Sequence, residues 1–227
     1  MKYKLLFFYM ILFLLICGCG ASKHENPYSP GNVLVYPIVP GNFACESGDR
    51  KVILRWDLLQ DEFLDRYVLL RNDTGPDGDY REVVNLKKIV NTYEDKELRN
   101  GTVYYYKLIA VNVRNIEGIP AGPISATPLS VMPPGIPKKL RAESYDKKVF
   151  LYWEPNDEPD LKGYFIYRNI MPKGEFQKIT SVSKQFNSFT DIELTNGTSY
   201  YYKITAYNLA GLESFFGSTV IAVPFSM

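Results

Sequence analysis

Val52-Ile53-Leu54-Arg55-Trp56 and Val149-Phe150-Leu151-Tyr152-Trp153 are two statements of one pattern, 97 residues apart (153 − 56). Tyr67-Val68-Leu69-Leu70-Arg71 returns at the same offset as Tyr164-Phe165-Ile166-Tyr167-Arg168. Asn100-Gly101-Thr102-Val103-Tyr104-Tyr105-Tyr106-Lys107 returns 96 residues on (196 − 100) as Asn196-Gly197-Thr198-Ser199-Tyr200-Tyr201-Tyr202-Lys203. A period of this length is a whole domain, since solenoid repeats recur every 20–50 residues or so. The chain is therefore read as a tandem of two homologous modules. Within them apolar residues alternate. Val149, Leu151 and Trp153 share one face with Phe150 and Tyr152 opposite, while Tyr200, Tyr202, Ile204 and Ala206 oppose Tyr201, Lys203 and Thr205. A period of two is that of a strand with one buried face. The second module is expected to form strands at 138–144, 148–153, 164–168, 175–179, 188–191, 198–208 and 217–223. Short strands at 8–12-residue spacing indicate a two-sheet sandwich, so the class is all-β.

Longer patterns in both copies resemble the fibronectin type III family. They are the tryptophans Trp56 and Trp153, the pairs Tyr67-x-Leu69 and Tyr164-x-Ile166, and a long signature in the sixth strand of each module. That signature reads Leu98-x-x-Gly101-Thr102-x-Tyr104-x-Tyr106-x-Leu108-x-Ala110-x-Asn112, then Leu194-x-x-Gly197-Thr198-x-Tyr200-x-Tyr202-x-Ile204-x-Ala206-x-Asn208. The resemblance implies two immunoglobulin-like sandwiches with Trp56, Trp153, Tyr104 and Tyr200 in structural roles. The two tyrosines would be corner residues whose hydroxyls bond backbone a few residues upstream. Two departures stand out: Asn100-Gly101 and Asn196-Gly197 occupy a place where the family often has proline, and Phe63 replaces Asp160. The loop between the second and third strands of the first module (its BC loop) is therefore expected to differ in shape from that of the second.

The first residues read as a secretory leader: Lys2 and Lys4 precede an apolar run of twelve, Leu5 to Ile16. A membrane-spanning helix needs roughly 20 apolar residues, so this run is too short. Ile16-Cys17-Gly18-Cys19 resembles the bacterial lipobox. The resemblance implies that Cys19 becomes the mature N-terminus and carries palmitate-type acyl chains, more than one being needed for stable anchoring. The alternative is a secreted protein cut near Ala21, or an uncleaved anchor. The expected division is a lipoprotein signal peptide at 1–18, a lipidated polar tether at 19–36, a first module at 37–128, a proline-rich linker at 129–137 and a second module at 138–227. The expected location is a bacterial cell envelope, at the outer membrane or the cell surface.

The formal net charge is +1, and −1 once Lys2 and Lys4 leave with the leader, without a basic stripe; this argues against nucleic acid. His24, in the tether, is the only histidine, which excludes a histidine triad or multi-histidine metal site from the modules. No phosphate loop or nucleophile elbow occurs, so neither a catalytic residue nor a cofactor is expected. Acidic residues gather in the BC loops, at Asp57, Asp61, Glu62 and Asp65 and at Glu154, Asp157, Glu158 and Asp160. They suit a solvated turn first, and a calcium site or a carboxylate pair second. Cys45 aligns with Ala142, which marks it as a small half-buried strand residue. Asn-Gly at 100–101 and 196–197 is turn chemistry. On the outer face of the larger sheet, alternation places Phe165, Tyr167 and Tyr201 in the second module, with Val68, Leu70, Tyr105 and Ile109 in the first. A row of exposed aromatics suits either a contact surface for protein or sugar, or ordinary cross-strand pairing. The function expected from all this is non-catalytic: two modules that bind or space a partner protein at the membrane surface. The alternative is a carbohydrate-binding accessory module.

Overall fold

Every second residue from Lys148 to Glu154 is buried, with Val149 and Leu151 at 0% exposure and Trp153 at 2%. Val52, Leu54 and Trp56 repeat that burial 97 positions earlier. A computed structural model describes residues 36–226; the leader 1–18, Cys19 and the tether up to residue 35 lie outside the described residues. From Pro37 onward the chain forms one compact unit that contains two β-sandwiches.

The first sandwich comprises β1 (Ala44–Gly48), β2 (Lys51–Arg55), β3 (Leu64–Asn72), β4 (Arg81–Lys87), β5 (Thr92–Asp95), β6 (Tyr104–Asn112) and β7 (Ala121–Ala126). One sheet runs β1-β2-β5, the other β4-β3-β6-β7. The second repeats the plan with β8 (Lys138–Tyr145), β9 (Lys148–Glu154), β10 (Leu161–Asn169), β11 (Gln177–Ser183), β12 (Ser188–Asp191), β13 (Tyr200–Asn208) and β14 (Val220–Ala222). Its sheets run β12-β9-β8 and β11-β10-β13-β14. All pairs are antiparallel, and registers match between copies: Cys45 faces Leu54 as Ala142 faces Leu151. The fold is all-β and immunoglobulin-like, of the fibronectin type III kind.

Each sandwich has its own core. The first gathers Leu54, Trp56, Tyr67, Leu69, Tyr106 and Leu108; the second gathers Leu151, Trp153, Tyr164, Ile166, Tyr202 and Ile204. Each tryptophan meets a tyrosine edge-on, Trp56 with Tyr67 at 5.7 Å and Trp153 with Tyr164 at 5.1 Å, an orientation that ring quadrupoles favour. Cys45 packs partly buried against the first core, and its thiol donates to the Ser125 carbonyl at 3.3 Å. Burial pushes that thiol's pKa up, which favours the protonated sulfur.

Several expectations need correction. The strand expected at 175–179 is Gln177–Ser183. The pairing of β10 with β11 shifts register between Ile166 and Tyr167, and Phe176 remains in the loop under Lys203. The last strand is only Val220–Ala222, because Gly217–Thr219 belong to the preceding loop. The outer face of the first module is not open: Val68 and Ile109 are 5% and 6% exposed and cluster with Val111, with Leu70 packed beside them. Here the chain after β6 folds back on its own strand, Gly118 N–H donating to Ala110 and Glu117 bridging to Val111. In the second copy the bridge is Tyr207 to Glu213, and Thr205, expected outside, is buried beneath it. The BC loops do not differ in backbone path. Val113 N–H donates to Phe63 at 2.8 Å as Leu209 N–H donates to Asp160 at 2.9 Å. These bonds use only main-chain groups, so they form with either side chain at that position.

Candidate functional site

Two clusters around a buried aspartate recur at the repeat offset. Arg71 donates to both carboxylate oxygens of Asp95 at 2.9 Å, and Tyr106 adds its hydroxyl at 2.8 Å. In the second copy Arg168 reaches Asp191 at 3.1 and 2.9 Å and Tyr202 donates at 2.7 Å. Burial first, and the adjacent carboxylate second, push both phenols' pKa well above the ordinary tyrosine range. Each arginine also lies over the ring of the neighbouring tyrosine, 5.4 Å from Tyr104 and 5.5 Å from Tyr200. Those tyrosines turn their hydroxyls to backbone five residues upstream: Arg99 N–H donates to Tyr104 at 3.0 Å and Thr195 N–H to Tyr200 at 3.1 Å. A buried carboxylate with both oxygens occupied, by a partly exposed arginine and a tyrosine, is a scaffold, and its presence in both copies agrees with that. The repeat printed Arg71 and Arg168 in register, but nothing nearby in sequence linked either to an aspartate more than twenty residues away.

The candidate binding residues separate into two groups. Phe165 and Tyr167 lie on the outer face of β10, and Tyr201 lies half-buried on β13 between Asn169 and Ile221. Tyr105 belongs to the other sandwich, paired with Asn72 and Ser125. Phe165 is stacked on Tyr207 with centroids 4.0 Å apart and rings within 5° of parallel. The ammonium of Lys178 sits 3.9 Å from the Phe165 centroid. Tyr167 takes the edge of Phe216 at 4.9 Å and donates its hydroxyl to Glu213 at 2.6 Å. Burial and that carboxylate push its pKa up to about 12. Lys203 lies over both Phe176 and Phe216, at 4.3 and 5.1 Å. The face is thus a cluster of rings and lysines that engage one another. Alternation carried two residues beyond Thr205 reaches Tyr207; Phe176 and Phe216 come from loops, where no periodicity points to them.

The acidic BC loops are bonded locally. In the first, Asp61 accepts from Phe63 N–H at 2.9 Å, Asp57 accepts from Asn42 at 2.7 Å and Asp65 pairs with Arg66 at 2.9 Å. In the second the loop reaches the linker. Asp160, expected in a solvated turn, is 3% exposed; it accepts from Ser130 N–H at 3.0 Å and from Asn208 at 3.5 Å. Glu158 accepts from Gly135 N–H at 2.5 Å, Asn156 donates to the Gly135 carbonyl at 2.9 Å and Asn208 donates to that of Met132 at 3.2 Å. The turn at Gly101, with φ +78°, lies so near this loop that a Cβ there would fall 2.8 Å from the Pro159 carbonyl. Gly197, with φ +80° in the second copy, has open space around it. Among the described residues no three His, Cys, Asp or Glu side chains are grouped as a metal site requires.

No family model matches the chain. It is similar to an amylopullulanase of Thermoanaerobacter thermohydrosulfuricus, 36% identical over 116 residues, covering 51% of this chain and 8% of that protein. An amylopullulanase of Thermoanaerobacterium saccharolyticum is 29% identical over 144 residues, covering 63% of this chain and 10% of that one. An exo beta-1,2-glucooligosaccharide sophorohydrolase of Parabacteroides distasonis is 27% identical over 143 residues, covering 63% of this chain and 18% of that enzyme. The chain thus spans a tenth or less of the two amylopullulanases. Among solved structures, a two-domain fibronectin type III segment of chicken tenascin aligns at 19% identity and a TM-score of 0.43, covering 81% of this chain and 98% of that one.

Proposed function

We propose that this chain is a non-catalytic lipoprotein of a bacterial cell envelope, anchored through Cys19, whose two sandwiches hold or space a partner protein at the membrane surface. One observation carries the spacing half of this reading: the linker is bonded to the second sandwich. Modules joined by a short chain move independently unless something holds the joint. Here Ser130, Met132 and Gly135 are each hydrogen-bonded to Asn156, Glu158, Asp160 or Asn208, and the Gly101 turn closes on the same loop. Prolines at 133, 134 and 137 restrict the rest of the linker.

The experiment is small-angle scattering on the chain from residue 20, with Asp160→Ala as the comparison. The spacing reading expects one narrow distance distribution for the native protein and a broader one for the variant. Equal breadth in both would remove the reason for calling the pair a spacer.

A second reading, a carbohydrate-binding accessory module, draws support from the relatives, whose names place similar segments inside proteins that act on glucans. The Phe165 ring weighs against sugar stacking at the aromatic face, since Tyr207 and Lys178 both lie against it.

A further inference from the structure

The outer face of β9 differs between the two copies. Alternation turns Phe150 and Tyr152 away from the core that holds Val149, Leu151 and Trp153, and both stay half-buried on the surface of the sheet. Their rings lie side by side, with centroids 6.0 Å and planes 34° apart. On one flank the register sets Arg141 beside Tyr152 and Glu143 beside Phe150; on the other it sets Ser188 and Thr190 in the same two rows. Tyr145, 42% exposed, continues the face along β8 and donates its hydroxyl to Glu143 at 2.8 Å.

The first sandwich supplies an internal control. Its β2 carries Ile53 and Arg55 in place of the two rings, with Glu94 where Thr190 stands and Gly48 where Tyr145 stands. That face is closed by ion pairs among its own side chains, Arg55 with Glu46 at 3.0 Å and Lys51 with Glu94 at 2.6 Å. One backbone thus supports a self-paired charged surface in one copy and a surface of rings in the other. The fold does not call for the rings.

We infer that this face of the second sandwich binds a neutral glucan chain, with sugar rings lying on Phe150 and Tyr152. A pyranose has an apolar C–H face and a rim of hydroxyls. The aromatic rings meet the face, while Arg141 and Thr190 donate to rim oxygens and Glu143 accepts from rim hydroxyls. Size argues against a protein here. A fully buried aromatic side chain covers only about 150–250 Å². Three such side chains, each already partly covered, fall well short of the roughly 800 Å² per partner of a stable protein interface. Charge argues against an anion. Arg141 and Lys148 flank the rings, yet the Glu143 carboxylate lies between them on the same face and would meet any anionic chain. This inference rests on the carbohydrate reading above and assigns it to the sheet opposite Phe165, whose ring Tyr207 and Lys178 cover.

The test is amide NMR of the chain from residue 20, titrated with maltohexaose and with a β-1,2-gluco-oligosaccharide. Saturable shifts at Glu143, Phe150, Tyr152 and Thr190 support the face if the double variant Phe150→Ile, Tyr152→Arg weakens them about tenfold or more with unchanged melting, as loss of aromatic anchors does. That variant carries the first copy's own residues at these places. Thr190→Glu, which restores the charge that Glu94 carries in the first copy, should weaken binding likewise and serves if the double variant misfolds. Saturable shifts that survive these variants, or that map away from β8, β9 and β12, would overturn the site and leave the carbohydrate reading standing. Failure of both sugars to shift any amide would overturn the site and that reading together.

Discussion

At Tyr106 and Tyr202 a phenol is held against a carboxylate inside a sandwich, and its chemistry becomes a statement about stability. In an unfolded chain these phenols ionise near pH 10. In the fold their pKa is raised, by burial and by Asp95 or Asp191. A group with a raised folded pKa contributes its stability fully below the unfolded value and loses it as pH climbs beyond. The tyrosinate absorbance of these two residues should therefore appear only together with loss of the β-sheet circular dichroism signal, above pH 10. Early ionisation in an intact fold would contradict their placement. Tyr167, raised only to about 12, should titrate before them. Tyr106→Phe and Tyr202→Phe should each cost about 1.5–3 kcal/mol in urea unfolding, the usual worth of a hydrogen bond to a charged group.

Among the elements, β2 and β9 carry the tryptophans that fill the two cores. Trp56→Ala and Trp153→Ala should each cost about 3–5 kcal/mol. Because the cores are separate, calorimetry should show each variant lowering one transition while leaving the other in place. A single transition lowered equally by both would contradict two cores. These elements were legible because Val52, Leu54 and Trp56 recur at every second position, and the pattern is printed twice. The face of β13 was legible for the same reason. What escaped was set by distance or by loops. Asp95 and Asp191 look like strand-end acids until Arg71 and Arg168 arrive from another sheet. Phe216 reaches Tyr167 from an irregular segment with no period. Val68 and Ile109 read as outward by parity and are outward, yet they are covered by chain that folds back from Glu117 and Gly118. Parity gives a direction and cannot say what lies over it.

For the whole molecule, the anchor is the most direct test. Mass spectrometry of the native protein should find a mature start at an acylated Cys19, and Cys19→Ala should accumulate an uncut precursor. A start elsewhere ends the lipoprotein reading. The matched registers of the two sandwiches have a consequence for assembly as well. Strands β3 to β6 match β10 to β13 in length and pairing, so each has a second home in the other sandwich, and exchange between neighbouring repeats is a common route to misassembly. The outer faces distinguish the homes. Phe165 crosses to Thr205 in its own sandwich, whereas Val68 crosses to Ile109 in the other. A β10 seated in the wrong partner would press Phe165 against Ile109 and leave Tyr207 without its stacked ring. The outer-face side chains thus make each strand fit its own sandwich better than the other.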